Sequence, residues 1–165
     1  MNTTQAILTR RSVRKFDAEK AIPEEAIHAM LDAAMHAPSA RNSRPWDFVV
    51  VTDPEDIKKL TNYTSAQALI VIVAMPERQI NFCEGNHLND CGAAATTLIL
   101  QAWEMGIATC WCGIYPVQER IDTARQVLGL PENVLPFCSI PMGYPAEEPA
   151  AKGFYDEKLV HWGKW

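Results

Sequence analysis

Between Thr9 and Phe16 the chain reads TRRSVRKF, which places Arg10, Arg11, Arg14 and Lys15 together, with a hydroxyl at Ser12, before the first acidic residue at Asp17. Guanidinium groups mixed with a hydroxyl suit a phosphate monoester. Such a group carries about −1.5 to −2 charge and accepts charge-assisted hydrogen bonds worth roughly 1.5–3 kcal/mol each. A solvated basic face at a helix end is the plain structural alternative. The second candidate is PSARNSRPW, Pro38 to Trp46, a proline-bounded stretch between an apolar helical pattern and a β-branched run. Ser39 and Asn42 offer hydroxyl and amide groups matched to the edge of a heterocycle, although a helix exit followed by a turn would engage the same residues locally.

No other pattern of catalytic residues stands out. The chain contains no nucleophile elbow, HExxH, Walker loop or GxGxxG. His28, His36, His87 and His161 are scattered, and the eight-residue gap between His28 and His36 is too long for two ligands on adjacent helical turns. Cys83, Cys91, Cys110, Cys112 and Cys138 lack the paired spacing of a disulfide scaffold and read as buried structural thiols, with no metal site implied. Cys110 and Cys112 would share one face of a strand. With no acid, base or nucleophile set apart, the expectation is that any chemistry belongs to a bound cofactor that the protein orients and surrounds with charge.

The elements that must position these residues are legible from periodicity. A short helix over residues 3–10, capped by Thr3 or Thr4, would deliver the basic cluster at its C-terminal end. IPEEAIHAMLDAAMHA predicts a longer helix, with Pro23, Glu24 and Glu25 in its first turn and a stop at Pro38. Asp47–Asp53 and Leu69–Met75 read as strands buried on both faces, with PEDIKKL as a short helix between them. Residues 89–105 form an apolar helical pattern ended by Gly106, and its small run Cys91–Ala95 would let another backbone approach closely. ATCWCG predicts a strand, PVQERIDTARQVLG an amphipathic helix closed by Gly129, and PFCSIPMGYP a last strand. Apolar strands interleaved with helices predict a sheet covered on both sides.

A length of 165 residues suits one domain, residues 1–165, that buries roughly 70% of its unfolded surface without disulfides. Residues 145–165 differ in kind: they are irregular yet carry Phe154, Tyr155, Trp162 and Trp165, so they are expected to wrap a second subunit. A net charge of −5 argues against a general binder of nucleic acid or anionic membranes. MNTTQAIL lacks the features of a secretory signal, and no long apolar run is present, so the expected location is cytoplasmic.

RRSVRKF, APSARNSRPWDFVVV, DCGAAATTLILQAWEMGIATCWCGIYP, LPFCSIPMGYPAEEP and FYDEKLVHWGKW follow one another in an order that resembles the small flavin-dependent nitroreductase family over nearly the whole chain. The resemblance implies an α+β fold, an α/β/α sandwich with a central mixed, mostly antiparallel sheet. It also implies an intertwined homodimer with exchanged C-terminal tails and one FMN in each of two interface sites. By that pattern Arg10, Arg11 and Ser12 hold the phosphate and ribityl end. Arg14 faces the flavin N1 and C2 carbonyl, where it stabilises the charge acquired on reduction. Pro38, Ser39 and Asn42 reach the ring from the partner chain, and the backbone at Gly113 approaches its other side. Lys152 is carried over as the tail cation, followed by Gly153 where family tails have a second basic residue, and Tyr63–Gln67 is less typical of the family. The implied activity is ping-pong transfer of reducing equivalents from NAD(P)H through FMN to nitroaromatics, quinones or similar small acceptors, with no catalytic side chain required. A flavin-binding sensor or carrier, a non-flavin dimeric interaction module, and a dehalogenase or flavin-consuming enzyme on the same scaffold are the alternatives.

Overall fold

The computed structural model describes residues 1–80, 85–150, 153 and 155–165. The elements run α1 (Thr3–Thr9), α2 (Glu24–Met35), β1 (Trp46–Val51), α3 (Pro54–Leu60), β2 (Ala68–Ala74), α4 (Asn86–Glu104), β3 (Ala108–Thr109), β4 (Cys112–Gly113), α5 (Gln118–Leu128) and β5 (Leu135–Gly143), with short 3₁₀ turns at Ala40–Asn42, Pro76–Arg78 and Glu157–Leu159. The named strands form an antiparallel sheet in the order β1-β2-β5-β3, with β4 also on β5. An isolated parallel bridge joins Ser12 to Thr109 beyond β3.

β2 shows why an unbroken apolar run is needed at the centre. Ala68, Ile70, Ile72 and Ala74 enter a core shared with α2 and α4, while Leu69, Val71 and Val73 enter the opposite core with Ile57 of α3 and Ile121 of α5. β1 departs from the sequence expectation of burial on both faces. It lies at the sheet edge, paired to β2 alone, and Val50 is 40% exposed. The run from Ala108 to Gly113 is likewise two short strands rather than one. Its pairing is nevertheless continuous, Ala108 opposite Gly143 and Gly113 opposite Cys138. The interruption has a local cause at Pro141: the Cys110 N–H donates to its carbonyl at 3.1 Å, but proline has no N–H to return to Cys110. The Cys112 thiol approaches that Cys110 carbonyl at 3.9 Å instead.

Helix ends follow local chemistry. α1 is capped by Asn2, not by Thr3 or Thr4: the Asn2 side chain accepts from Gln5 N, and the Gln5 side chain accepts from Asn2 N. Pro23 is the N-cap of α2, Asp53 caps α3 through the Glu55 and Asp56 amides, and α5 ends at Gly129 with φ +63°. α2 stops at Met35, before Pro38. No helix among the described residues is long and apolar enough to cross a membrane.

Candidate functional site

The basic turn is held on its buried side. Val13 and Phe16 are buried while Ser12, Arg14 and Lys15 face outward, so two apolar side chains anchor a segment whose polar ones are exposed. Val13 N donates to Thr109 O at 3.0 Å, Asp17 N to Tyr144 O at 2.8 Å, and Ala146 N to Lys15 O at 3.1 Å, which ties residues 13–17 to β3 and the end of β5. Phe16 lies over Gly143 so closely that a Cβ there would sit 2.8 Å from the Phe16 Cβ. Gly143 is therefore the residue that lets the basic turn lie flat on the sheet.

Ahead of that anchor, Arg10, Arg11, Ser12 and Arg14 line one cavity of about 870 Å³ together with Ile7, Leu8, Gly153 and Tyr155. Arg11 also braces the tail, its Nε donating to Ala150 O at 3.0 Å and its Nη1 to Leu8 O at 3.3 Å. Gly113 belongs to a second cavity, about 510 Å³, whose wall includes Tyr63, Trp111, Cys112 and Ser139. Its carbonyl accepts from Arg120 Nη1 at 2.7 Å, which fixes the local backbone. A Cβ at Gly113 would meet nothing closer than Tyr115 O at 3.9 Å, so the chain's own packing does not demand glycine there. What glycine does is leave the strand backbone open toward the cavity.

Pro38, Ser39 and Asn42 line neither cavity. They sit in a loop with three non-glycine residues in left-handed backbone, Arg41 and Asn42 at φ 55° and Arg44 at φ 47°. Such conformations persist where surroundings over-determine them and concentrate at binding sites. Ser39 Oγ accepts from Arg44 N at 3.0 Å, Asn42 Oδ1 accepts from Arg44 Nε at 3.0 Å, and Asp90 Oδ1 of α4 accepts from Ala40 N at 3.0 Å. Asp90 is 6% exposed, and its Oδ2 is buried without a partner among the described residues. Lys152 lies outside the described residues.

Two groups at the site were not singled out from sequence. Asp90 carried a signal, a carboxylate inside an apolar helical pattern. Tyr63 carried less: it stands in the stretch that departs from the family pattern, but its partners are remote in sequence. Tyr63 first, and Cys110 after it, raise Arg14 above its ordinary value. The Tyr63 hydroxyl is 4.0 Å from the Cys110 thiol. The Cys112 thiol first, then Tyr63 and the charges of Arg14 and Arg10, pull Cys110 down to about 6 against the opposing effect of burial. Cys112, hydrogen-bonded to Cys110 and partly buried, is pushed up. The remaining described thiols behave as structural cysteines: burial pushes Cys91 up to about 12 and Cys138 up as well.

A cationic cavity thus sits at a turn pinned to an antiparallel sheet, and a second cavity opens on glycine backbone of the same sheet. The sequence profile of the Nitroreductase family matches residues 7–84 and 84–144, and the chain belongs to this family of oxidoreductases. A NADH dehydrogenase/NAD(P)H nitroreductase of Methanothermobacter thermautotrophicus is 36% identical over 170 residues, covering 100% of this chain and 88% of the relative. A crystal structure of a Parabacteroides distasonis protein of the same description superposes with TM-score 0.92 at 32% identity, with 100% of both chains covered. The FMN-dependent nitroreductase of Clostridium difficile R20291 has TM-score 0.88 at 28% identity, covering 98% of this chain and 99% of that one.

Proposed function

We propose that the protein is an NAD(P)H-dependent oxidoreductase that binds FMN with its phosphate in the Arg10–Arg14 cavity and its ring toward Gly113. The observation that carries this reading is the convergence of Arg10, Arg11, Ser12 and Arg14 on a single cavity in a chain of net charge −5. The donor set fits the group. Arg10 forms no ion pair among the described residues, so its charge is available to an anion. Ser12 is exposed on the same side, and the missing side chain at Gly113 leaves backbone that a flat ring can approach.

When bound, FMN supplies the two-electron chemistry, accepting hydride from NAD(P)H and passing reducing equivalents to a small nitroaromatic or quinone-type acceptor in alternation. The residues of this chain do the rest. Arg10 and Ser12 anchor the phosphate, and Arg11 does so while also gripping the tail. Arg14 places a fixed positive charge where negative charge gathers on the pyrimidine side of the ring, a preorganised electrostatic contribution that needs no reorganisation during transfer. Pro38, Ser39 and Asn42, which line neither of these cavities of their own chain, serve the site of a second copy. Tyr155, Leu159, Trp162 and Trp165, exposed by 77%, 73%, 88% and 101%, supply apolar surface for that pairing.

The test is an absorption spectrum of the purified protein, then anaerobic addition of NADH or NADPH, then an acceptor. Oxidised flavin bands that bleach with the nicotinamide and return with the acceptor are the expected result, with parallel double-reciprocal lines in steady state. A protein that stays colourless at a large excess of FMN overturns the reading.

A further inference from the structure

The loop that follows α2 is gripped by two adjacent residues of α4. At the loop's end the carbonyl of the buried Pro45 accepts from Met75 N at 2.9 Å and from the Cys91 thiol at 3.7 Å. In its interior the Ala40 N–H donates to Asp90 Oδ1 at 3.0 Å. A carboxylate is a costly group to bury. Asp90 is 6% exposed with its Oδ2 unpartnered among the described residues, whereas Cys91, Ala94 and Ala95 near it in α4 are wholly buried and apolar. A side chain that only filled this space would resemble them; what the carboxylate adds is a fixed acceptor for a loop amide. The loop held in this way has a definite polarity. Ser39 Oγ accepts from Arg44 N and Asn42 Oδ1 accepts from Arg44 Nε, both at 3.0 Å. These Arg44 groups can only donate, so they draw the two oxygens inward and leave the Ser39 O–H and the Asn42 NH₂ as the groups the loop offers outward. Arg41, Asn42 and Arg44 are all in left-handed backbone, a conformation that persists only where the surroundings hold it.

We propose that Asp90 is a positioning residue for the flavin site of the second copy: by holding the Ala40 amide it sets the Ser39 and Asn42 donors of its own chain against the acceptor atoms of the other copy's ring. The inference rests on the flavin reading and on the pairing proposed with it. Asp90 acts through the amide it binds rather than through its charge, so an asparagine, which keeps the Oδ1 acceptor, can take over the role. The Arg10 with which it cooperates belongs to the other chain.

The first measurement uses FMN-free protein: hydrogen exchange of the Ala40 amide, followed by NMR, in wild type, Asp90→Ala and Asp90→Asn. Asp90→Ala should speed this exchange about tenfold or more while the amides of β2 keep their protection, and Asp90→Asn should restore slow exchange. Exchange at the wild-type rate in Asp90→Ala overturns the proposal. The second is flavin titration. Asp90→Ala should weaken FMN binding about tenfold, the scale of one or two neutral hydrogen bonds, and Asp90→Asn should bring it back toward wild type. Mixed dimers, purified through two different affinity tags, then give the direction of the effect. An Asp90→Ala copy paired with an Arg10→Ala copy contains one site with both Arg10 and a held loop, so it should take up one FMN per dimer at wild-type affinity, although neither parent does. Two weak sites in the mixed dimer would place the effect of Asp90 within its own chain or in general stability, and overturn the proposal. Should Asp90→Ala not fold, Ala40→Pro deletes the same bond from the loop and replaces it in the titrations and mixed dimers; Ser39, at φ −141° and ψ 154°, already has the extended backbone that a residue before proline adopts. Wild type that takes up no FMN overturns the functional reading and the role in the second copy's site with it, while Ala40 exchange by itself still decides whether Asp90 holds the loop.

Discussion

At the scale of single residues, the cations of the basic turn separate into different jobs because their surroundings differ. Arg10 faces the cavity with no ion pair among the described residues, Arg11 is partly spent on the carbonyls of Leu8 and Ala150, and Arg14 is raised above its ordinary value, by Tyr63 first. Arg10→Ala is therefore expected to weaken FMN binding about tenfold or more, as loss of one charge-assisted contact would, while leaving the reduction rate of saturated protein near wild type. Equilibrium flavin titration reads the first effect and stopped-flow the second. Arg14→Ala should show the reverse: anaerobic reduction slowed about tenfold or more and a lower flavin midpoint potential, with a smaller change in affinity. Reduction of loaded Arg14→Ala at wild-type speed would contradict the role given to this residue. These residues were legible in the sequence because cations concentrated at one place in an acidic chain have few structural explanations. Tyr63 was not, because what gives it meaning is Arg14 and Cys110, 49 and 47 positions away, and no periodicity encodes a contact between a turn, a loop and a strand. Asp90 falls between these cases. A carboxylate in an apolar helix announces that something polar must meet it, but the Ala40 amide that does so belongs to a loop 50 residues earlier.

At the scale of elements, the sequence marked where most helices and strands lie, and missed how two of them are modified by a neighbour. β2 was legible because burial on both faces demands an uninterrupted apolar run. β1 looked the same in composition, yet edge or centre is decided by strand order, which composition does not contain. The division of Ala108–Gly113 into β3 and β4 comes from Pro141, a residue on the opposite strand. Another effect of β5 reaches the site directly. Gly143, Pro141 and Ser139 are small residues opposite Ala108, Cys110 and Cys112, so this face of the sheet is low and admits Phe16 and the basic turn. Gly143→Ala places a methyl group 2.8 Å from the Phe16 Cβ, against a side chain that is itself buried. Phe16 must move, and residues 12–17 move with it. Overpacking of this kind costs about 1–3 kcal/mol, which for a domain of this size lowers Tm by roughly 2–10 °C. The same substitution should weaken FMN binding although Gly143 lines neither cavity. Differential scanning calorimetry with and without FMN tests both halves, and an unchanged Tm would show that Phe16 yields freely. Gly113→Ala makes the contrasting case. Its methyl has open space within the chain, so stability should hold while flavin affinity falls.

At the scale of the whole molecule, a single chain is well packed through its two cores but leaves its C-terminal end unaccounted for. Residues 155–165 carry Tyr155, Leu159, Trp162 and Trp165 largely in solvent, and beyond Tyr155, which edges the basic cavity, the order they show is local: a 3₁₀ turn at Glu157–Leu159 capped by Asp156, and His161 stacked 4.3 Å from Trp165. Three large rings and a leucine held in water would be an aggregation hazard, so they need a surface, and a second copy of the chain is the partner proposed above. The loop from Pro38 to Asn42 points the same way, because its strained backbone and its buried Asp90 anchor hold polar groups toward neither cavity of its own chain. Removing residues 156–165, which leaves Tyr155 in the wall of the basic cavity, then gives two separable outcomes. None of the buried residues in either core lies in that segment, so far-UV circular dichroism and the cooperative unfolding transition should survive. On the proposed pairing, analytical ultracentrifugation should instead show the shortened chain shifted toward monomer at micromolar concentration, with FMN uptake falling alongside it because Ser39 and Asn42 are proposed to serve the site of a second copy. If the shortened chain remains a dimer with undiminished flavin affinity, the tail is not what holds the two copies together, and its aromatic surface must answer to another partner.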